Sequence, residues 1–189
     1  LESHGKLDLI KSYLAHTGQV SLLRLISLLS SNLGALKGVF PDFTQGALSD
    51  RKPIGRLALK MEAAGKVRVF AMVSFWDQIV LRPLHKVIFA WLRGLPNDAT
   101  FSQESSVRRC MEKSMLTKCS FGYDLSAATD RLPIYLQKEI LNKLFPGLGD
   151  LWSQILIDRD YYLPESKQFP TATGNYRYAV GQPMGALSS

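Results

Sequence analysis

Seven residues, Asp124-Leu-Ser-Ala-Ala-Thr-Asp130, hold two carboxylates, two hydroxyls and two alanines. The run 119–123 ahead of them reads as a strand, and Arg131-Leu-Pro133 behind them opens a helix-like run. Asp124 is therefore expected where a buried strand ends. A carboxylate on such a rigid base can meet a metal ion with little loss of side-chain entropy. The other reading of the heptapeptide is structural: Asp130 caps the following helix, with Pro133 in its first turn. A second stretch runs from Gly55 through Lys60-Met-Glu62 and Gly65-Lys-Val-Arg68 to Met72. Lys66 and Arg68 are two apart, so on a strand they share a face. Paired cations there suit a triphosphate, whose charge is spread over several oxygens. The alternative is a solvated hairpin face with Glu62 as partner. A third stretch is Gly181-Gln-Pro-Met-Gly185-Ala-Leu-Ser-Ser189. Two glycines around a proline let backbone come close to a ligand, or simply make a strand-to-helix turn.

The elements that must position these stretches follow from periodicity. Residues 7–14 and 21–36 read as helices, the second with Leu22, Leu25, Ile26, Leu29, Leu33 and Leu36 at helical spacing. Residues 40–53 read as loop. Strands are predicted over 57–60 and 67–71, joined through Ala63-Ala-Gly65. A helix is predicted over 74–92, with a kink or break at Pro83, and His85 beside its apolar stripe reads as a hydrogen-bonded packing residue. Further helices are predicted over 102–116, 133–145 and 148–158. Residues 119–124 read as the central strand and 161–175 as loop or hairpin. A strand over 176–180 should then lead into the Gly181 turn, with a helix beginning after Gly185.

Composition sets the outer bounds. The chain has 189 residues, 46% of them hydrophobic and 21% charged, as expected of a folded domain that buries a core. The formal net charge of +7 is compatible with a polyanionic partner such as RNA. Two cysteines, Cys110 and Cys119, give neither a zinc pattern nor a disulfide framework, so two buried free thiols are expected. The most apolar run, 22–36, is interrupted by Arg24 and several serines and falls short of a membrane span. The chain starts on Leu1, so a preceding targeting segment is compatible with it.

Taken in order, three blocks closely resemble motifs F, A and B of the RNA-dependent RNA polymerases of mitoviruses, the mitochondrial relatives of narnaviruses. They are Lys60-x-Glu62 with Gly65-Lys-Val-Arg68, Asp124-Leu-Ser-Ala-Ala-Thr-Asp130-Arg-Leu-Pro, and Gly181-Gln-Pro-Met-Gly185-Ala-Leu-Ser-Ser. The resemblance covers residues 55–189. It implies an α+β, helix-rich fold: the fingers and an incomplete palm of a right-hand polymerase. Residues 1–54 would be an N-terminal helical region, 55–117 fingers-like, and 118–189 incomplete palm with inserted helices.

The resemblance also implies roles. Asp124 would be catalytic and would bind magnesium for nucleotidyl transfer to an RNA 3′-hydroxyl. Asp130 would recognise the ribose 2′-hydroxyl. Lys60, Lys66 and Arg68 would hold the triphosphate, and Gly185 and Ser189 would line the floor beneath the nascent base pair. The implied partners are RNA template and primer, NTPs, and a second polypeptide if one supplies the rest of the palm. The implied location is the mitochondrion. Such polymerases place a Gly-Asp-Asp block downstream of motif B, and these residues do not include one. Gly149-Asp150 precedes motif B and lacks the second Asp. The expectation is that this chain alone is not a competent polymerase, and that its 119–124 strand presents an open edge. The alternative is a non-catalytic relic or a basic RNA-binding module, encoded in a plant mitochondrial genome.

Overall fold

A computed structural model describes residues 5–32 and 53–188. Among these the chain forms seven α-helices and four short strands. They are α1 (Lys6–His16), α2 (Val20–Ser31), β1 (Gly55–Met61), β2 (Val67–Met72), α3 (Phe75–Gly94), α4 (Gln103–Thr117), α5 (Ala128–Arg131), α6 (Ile134–Leu144), α7 (Leu148–Ile157), β3 (Tyr161–Leu163) and β4 (Gly174–Tyr176). The fold is α+β, as expected. The predicted end of the second helix, beyond residue 32, lies outside the described residues, as does nearly all of the 40–53 loop.

The strands make one mixed sheet in the order β2-β1-β3-β4. β1 and β2 pair antiparallel from Arg56↔Met72 to Met61↔Val67. A 3-10 turn over Ala63–Gly65 connects them, with Gly65 at φ +73°. β1 pairs in parallel with β3, and β3 returns antiparallel as β4. The 161–175 stretch is thus a hairpin. Gly55 permits the β1–β3 contact: a Cβ there would lie 2.6 Å from the Tyr161 ring.

One apolar core joins the helices. Ile10, Tyr13 and Leu14 of α1 lie at i, i+3 and i+4, so one face of that helix is buried. They pack with Val80, Leu81 and Leu84 of α3 and with Trp152, Ile155 and Leu156 of α7. A smaller cluster, Leu57, Ala71, Tyr161 and Leu163, lies on the sheet. α3 runs through Pro83 without a break. A proline removes one N–H, and the rest of a long, well-packed helix can carry that loss.

Four expectations fail. Residues 119–124 form no strand; Phe121, Tyr123 and Leu125 are 81%, 92% and 71% exposed. No described strand pairs with this segment, and a lone extended segment leaves its backbone polar groups to water. The strand over 176–180 ends at Tyr176. No helix follows Gly185: Gly185 at φ +120° and Ser188 at φ +67° lie outside the helical region. Cys110 and Cys119 are free but exposed, because α4 buries no residue and 119 lies in the unpaired segment.

A buried ion pair ties the helices together. Ser74 and Asp77 form a reciprocal capping box at the start of α3. The same Asp77 carboxylate, fully buried, takes both arms of Arg159 at 2.6 and 2.8 Å. Arg159 also donates to the Ile155 carbonyl at 2.7 Å. Beside it the buried Lys6 donates from Nζ to the Gln154 carbonyl at 3.0 Å. Burial pushes the Lys6 ammonium down to about 8; Arg159 adds to that push, and Asp158 and Asp77 oppose it.

Two predictions follow from this region. Asp77→Ala strands the Arg159 charge in the interior and should cost about 3–5 kcal/mol in urea unfolding. Replacing both partners by Met should cost distinctly less. Between about pH 8 and the ordinary lysine value, the unfolded chain holds the Lys6 proton and the folded chain does not, so stability rises with pH. Above about pH 10 the trend reverses, because burial holds the Tyr13, Tyr161 and Tyr178 phenols above their usual range. The free energy of unfolding from urea titration should therefore be higher at pH 9.5 than at pH 7 by roughly 1 kcal/mol, and Lys6→Met should abolish that gain.

Candidate functional site

The three stretches selected for their chemistry meet at the backbone of residues 181–188. Gly181 is buried against α5: a Cβ there would lie 2.2 Å from the Thr129 carbonyl oxygen and 2.3 Å from the Asp130 carbonyl carbon. Only a glycine allows this approach. Gln182 donates its N–H to the Thr129 carbonyl at 3.0 Å, and Ile134 donates to the Val180 carbonyl at 2.9 Å. The end of the Asp124 block is thus fixed to the start of the Gly181 block.

The other side of the turn is fixed to β2. Ala71 donates its N–H to the Met184 carbonyl at 2.8 Å. A Cβ on Gly185 would lie 2.7 Å from the Ala71 oxygen, and φ +120° at that residue favours glycine independently. α3 closes the frame. Gln78 donates from Nε2 to the Gly185 carbonyl and accepts at Oε1 from the Leu187 N–H, both at 2.9 Å. His85 Nδ1 accepts from the Ser188 N–H at 3.3 Å, and its ring stacks on Phe89, so it is the hydrogen-bonded packing residue expected. Trp152 of α7 donates from Nε1 to Ser188 Oγ at 2.9 Å. Ser188 Oγ in turn bonds the Leu187 carbonyl.

The chemical side chains are placed less closely. Asp124 does not end a strand; it is exposed in the unpaired segment and makes no hydrogen bond or ion pair among the described residues. Asp130 lies within the short α5 and caps nothing. The next helix starts at Ile134 with Pro133 as its N-cap and no side-chain cap bond. Asp130 instead lines a cavity of about 460 Å³ with Leu57, Leu59, Val67, Val69 and Tyr178. Burial, reinforced by the Asp130 charge, pushes the Tyr178 phenol up to about 12 against an opposing bond with the Met184 backbone.

Lys60 and Arg68 face each other across the β1–β2 register. Strand alternation puts them on the face opposite Val67 and Val69, away from the Asp130 cavity. Arg68 pairs with Glu62 at 2.7 Å, and this bond holds the Glu62 carboxyl below its usual range. Lys66, one residue before β2, is exposed. Ser189 lies outside the described residues.

No group of three His, Cys, Asp or Glu side chains among the described residues is placed to hold a metal ion. Magnesium takes six oxygens in near-octahedral geometry, and Asp124 supplies at most two. These residues alone therefore do not fit a bound magnesium ion.

Sequence reasoning missed Gln78, Arg159 and Trp152. The Ser74-x-x-Asp77 pattern is a capping-box signal that marks Asp77. Nothing local marks Gln78, whose partners lie 107 and 109 residues away.

The family described as Mitovirus RNA-dependent RNA polymerase matches residues 6–189. The chain belongs to that family. The match reaches past the three motif blocks to include α1 and α2. The chain is similar to the RNA-directed RNA polymerase of Cryphonectria parasitica mitovirus 1, 37% identical over 138 residues; the alignment covers 72% of this chain and 16% of that protein. It is also similar to an uncharacterized mitochondrial protein of Arabidopsis thaliana, 33% identical over 101 residues, covering 52% of this chain and 38% of that one. The chain thus spans well under half the length of either relative. No solved structure matches it.

The packing around the turn gives a direct test. Gly181→Ala must push the turn off α5, and Gly185→Ala must push it off β2. Each should destabilise by about 1–3 kcal/mol or more in urea unfolding. Val180→Ala, at an exposed neighbour, should change stability by less than about 0.5 kcal/mol.

Proposed function

We propose that this chain is part of an RNA-directed RNA polymerase: its fingers and the first part of its palm. In a complete enzyme of this kind the chemistry is template-directed nucleotidyl transfer to an RNA 3′-hydroxyl. The observation that carries the reading is the packing of the Gly181 turn against Thr129 and Asp130 of the second motif block and against Ala71, three residues past the first, in a chain whose family match runs from residue 6 to 189.

In this reading Asp124 is the catalytic carboxylate that this chain contributes to a magnesium site. The remaining oxygen ligands come from a downstream segment, on the same polypeptide or on another. A magnesium ion held there would supply charge neutralisation on the phosphates. Lys60, Lys66 and Arg68 hold the triphosphate by charge-assisted hydrogen bonds. Asp130 accepts from the ribose 2′-hydroxyl, which separates NTP from dNTP. Gly185 and Ser189 line the floor beneath the nascent base pair, where the absence of bulky side chains admits the base. RNA template, primer and NTPs are the partners, and the mitochondrion is the compartment. The chain alone is inactive, because one exposed carboxylate does not hold the metal.

A second reading draws on the Arabidopsis relative, which is a mitochondrial protein. There the chain is a non-catalytic relic, or a basic RNA-binding module, of a plant mitochondrial genome. A binding module should show saturable RNA affinity that falls steeply with salt, whereas a relic should show none.

Primer extension on a short RNA template with magnesium separates these readings. The chain alone is compared with the chain extended through a downstream Gly-Asp-Asp segment, both checked for folding by circular dichroism. Extension of the primer by the longer form only is expected, and Asp124→Ala in that form should reduce it at least about a hundredfold. Activity of the 189-residue chain alone would overturn the proposed inactivity. A folded but inactive longer form would favour the relic.

A further inference from the structure

We propose that the solvent side of α3 binds a single-stranded RNA segment, with Arg82, Lys86 and Arg93 on its phosphates and Phe75 against a base. RNA as the partner rests on the polymerase and binding-module readings above. The surface itself lies outside the three motif blocks.

Helix phase places the row. Gln78 and His85 mark the flank of α3 that holds the turn, since they reach Gly185, Leu187 and Ser188. At about 3.6 residues per turn, Arg82 lies within about 40° of Gln78 around the helix axis, and Phe75, Lys86 and Arg93 within about 80°. The core residues Val80, Leu81 and Leu84 centre on the opposite side. Phe75, Arg82, Lys86 and Arg93 are accordingly exposed, Phe75 to 69%. Along the axis Arg82 and Lys86 are about 6 Å apart, and Arg82 and Arg93 about 16 Å. Such steps suit successive phosphates of one strand. The row begins where the turn is held, so a strand lying on it reaches the proposed floor.

No carboxylate neutralises this row among the described residues. Arg82 and Lys86 make no hydrogen bond or ion pair there. Arg93 lies 4.6 Å over the Phe101 ring, a contact that uses the face of the guanidinium and none of its N–H groups. Exposed arginines elsewhere differ: Arg68, Arg108 and Arg177 each meet an acid. The one acid of α3, Asp77, is buried and paired with Arg159. Residues 181–188 contain none. In the loop after α3, Asp98 accepts from Thr100 on both carboxylate oxygens, and Glu104 of α4 pairs with Arg108. Cations alone would suit any polyanion. Aromatic rings beside them select a strand whose base faces are open. Phe75 stands at one end of the row. At the other, Phe101, 42% exposed, meets Phe89 edge to face at 5.5 Å.

The test measures binding of a short fluorescent oligouridylate to the full chain by anisotropy, over a series of sodium chloride concentrations. Arg82→Gln, Lys86→Gln and Arg93→Gln combined should weaken binding about tenfold or more and lower the slope of log affinity against log salt by about 2. Phe75→Ala should weaken it about fivefold or more. Removing the same charge from other elements, with Lys11→Gln, Arg24→Gln and Lys167→Gln combined, should leave the slope near that of the wild type. No saturable binding, equal effects of the two triple variants, or equal affinity for a blunt RNA duplex would overturn the proposal. Circular dichroism checks folding, and the Arg82→Gln, Lys86→Gln pair takes the place of the first triple variant if that one does not fold. Primer extension by the longer form keeps the two readings apart. Extension with RNA affinity untouched by the α3 substitutions removes the α3 surface and leaves the polymerase. Binding that depends on α3, without extension, leaves the surface and removes the polymerase.

Discussion

The Asp77–Arg159 ion pair is the constraint on which the rest of the arrangement depends. Two charges are taken fully out of water, and only bidentate geometry with further hydrogen bonds makes that tolerable. Ser74 supplies the further bonds on one side, from its N–H at 2.9 Å and its hydroxyl at 2.6 Å. The Ile155 carbonyl supplies one on the other. The pair therefore fixes three things at once: where α3 begins, where α7 ends, and how the two lie together. An apolar contact of the same size would not fix the rotation of α3 about its axis. A forked, buried bond to its first turn does.

That rotation matters for the site because Gln78 is the next residue along. Its amide reaches the turn at two points, Gly185 and Leu187, and two turns further His85 reaches Ser188. Trp152, on the helix whose end Arg159 anchors, holds the Ser188 hydroxyl. So the turn's conformation is set from α3 and α7 together. The glycines then do the remaining work at two close approaches, to α5 and to β2. The turn is thus built from backbone atoms and held by side chains of α3 and α7. Catalytic sites commonly need such support, because a site one ångström loose loses most of its rate.

Much of this was legible in the sequence, and what was not has a common cause. Helices with strong apolar periodicity, such as α1, α3 and α7, were read to within a few residues. So was the β1–β2 hairpin, whose turn Ala63-Ala-Gly65 carries a clear signal. The three motif blocks were recognised by type and order, and the family match agrees with them. The failures at 119–124, at 176–180 and after Gly185 all involve segments whose conformation is set by distant partners. Phe121 and Tyr123 have strand propensity, but propensity yields no ladder without a neighbour. Small residues after Gly185 suit a helix, yet five bonds with Gln78, His85, Trp152 and Ala71 hold residues 184–188 as turns. Arg159 was invisible for the same reason: its partner lies 82 residues away.

The two halves of the proposed site therefore differ in what they need. The floor is assembled from contacts internal to the described residues, and it stands on its own bonds. The carboxylate half is not so assembled. Asp124 follows a run of exposed aromatic and apolar side chains, Phe121 and Tyr123 among them, with no covering element among the described residues. Covering these two side chains would contribute a few kcal/mol at roughly 25 cal/mol per Å². Pairing the backbone beside them would fix the position of Asp124, as the proposed role of that carboxylate requires. The coupling runs in one direction. A strand laid along 119–124 would order Asp124 with little change to the floor, since the bonds that hold residues 181–188 involve none of residues 119–124. A turn fixed by many bonds and an exposed, unpartnered acid thus coexist among the described residues.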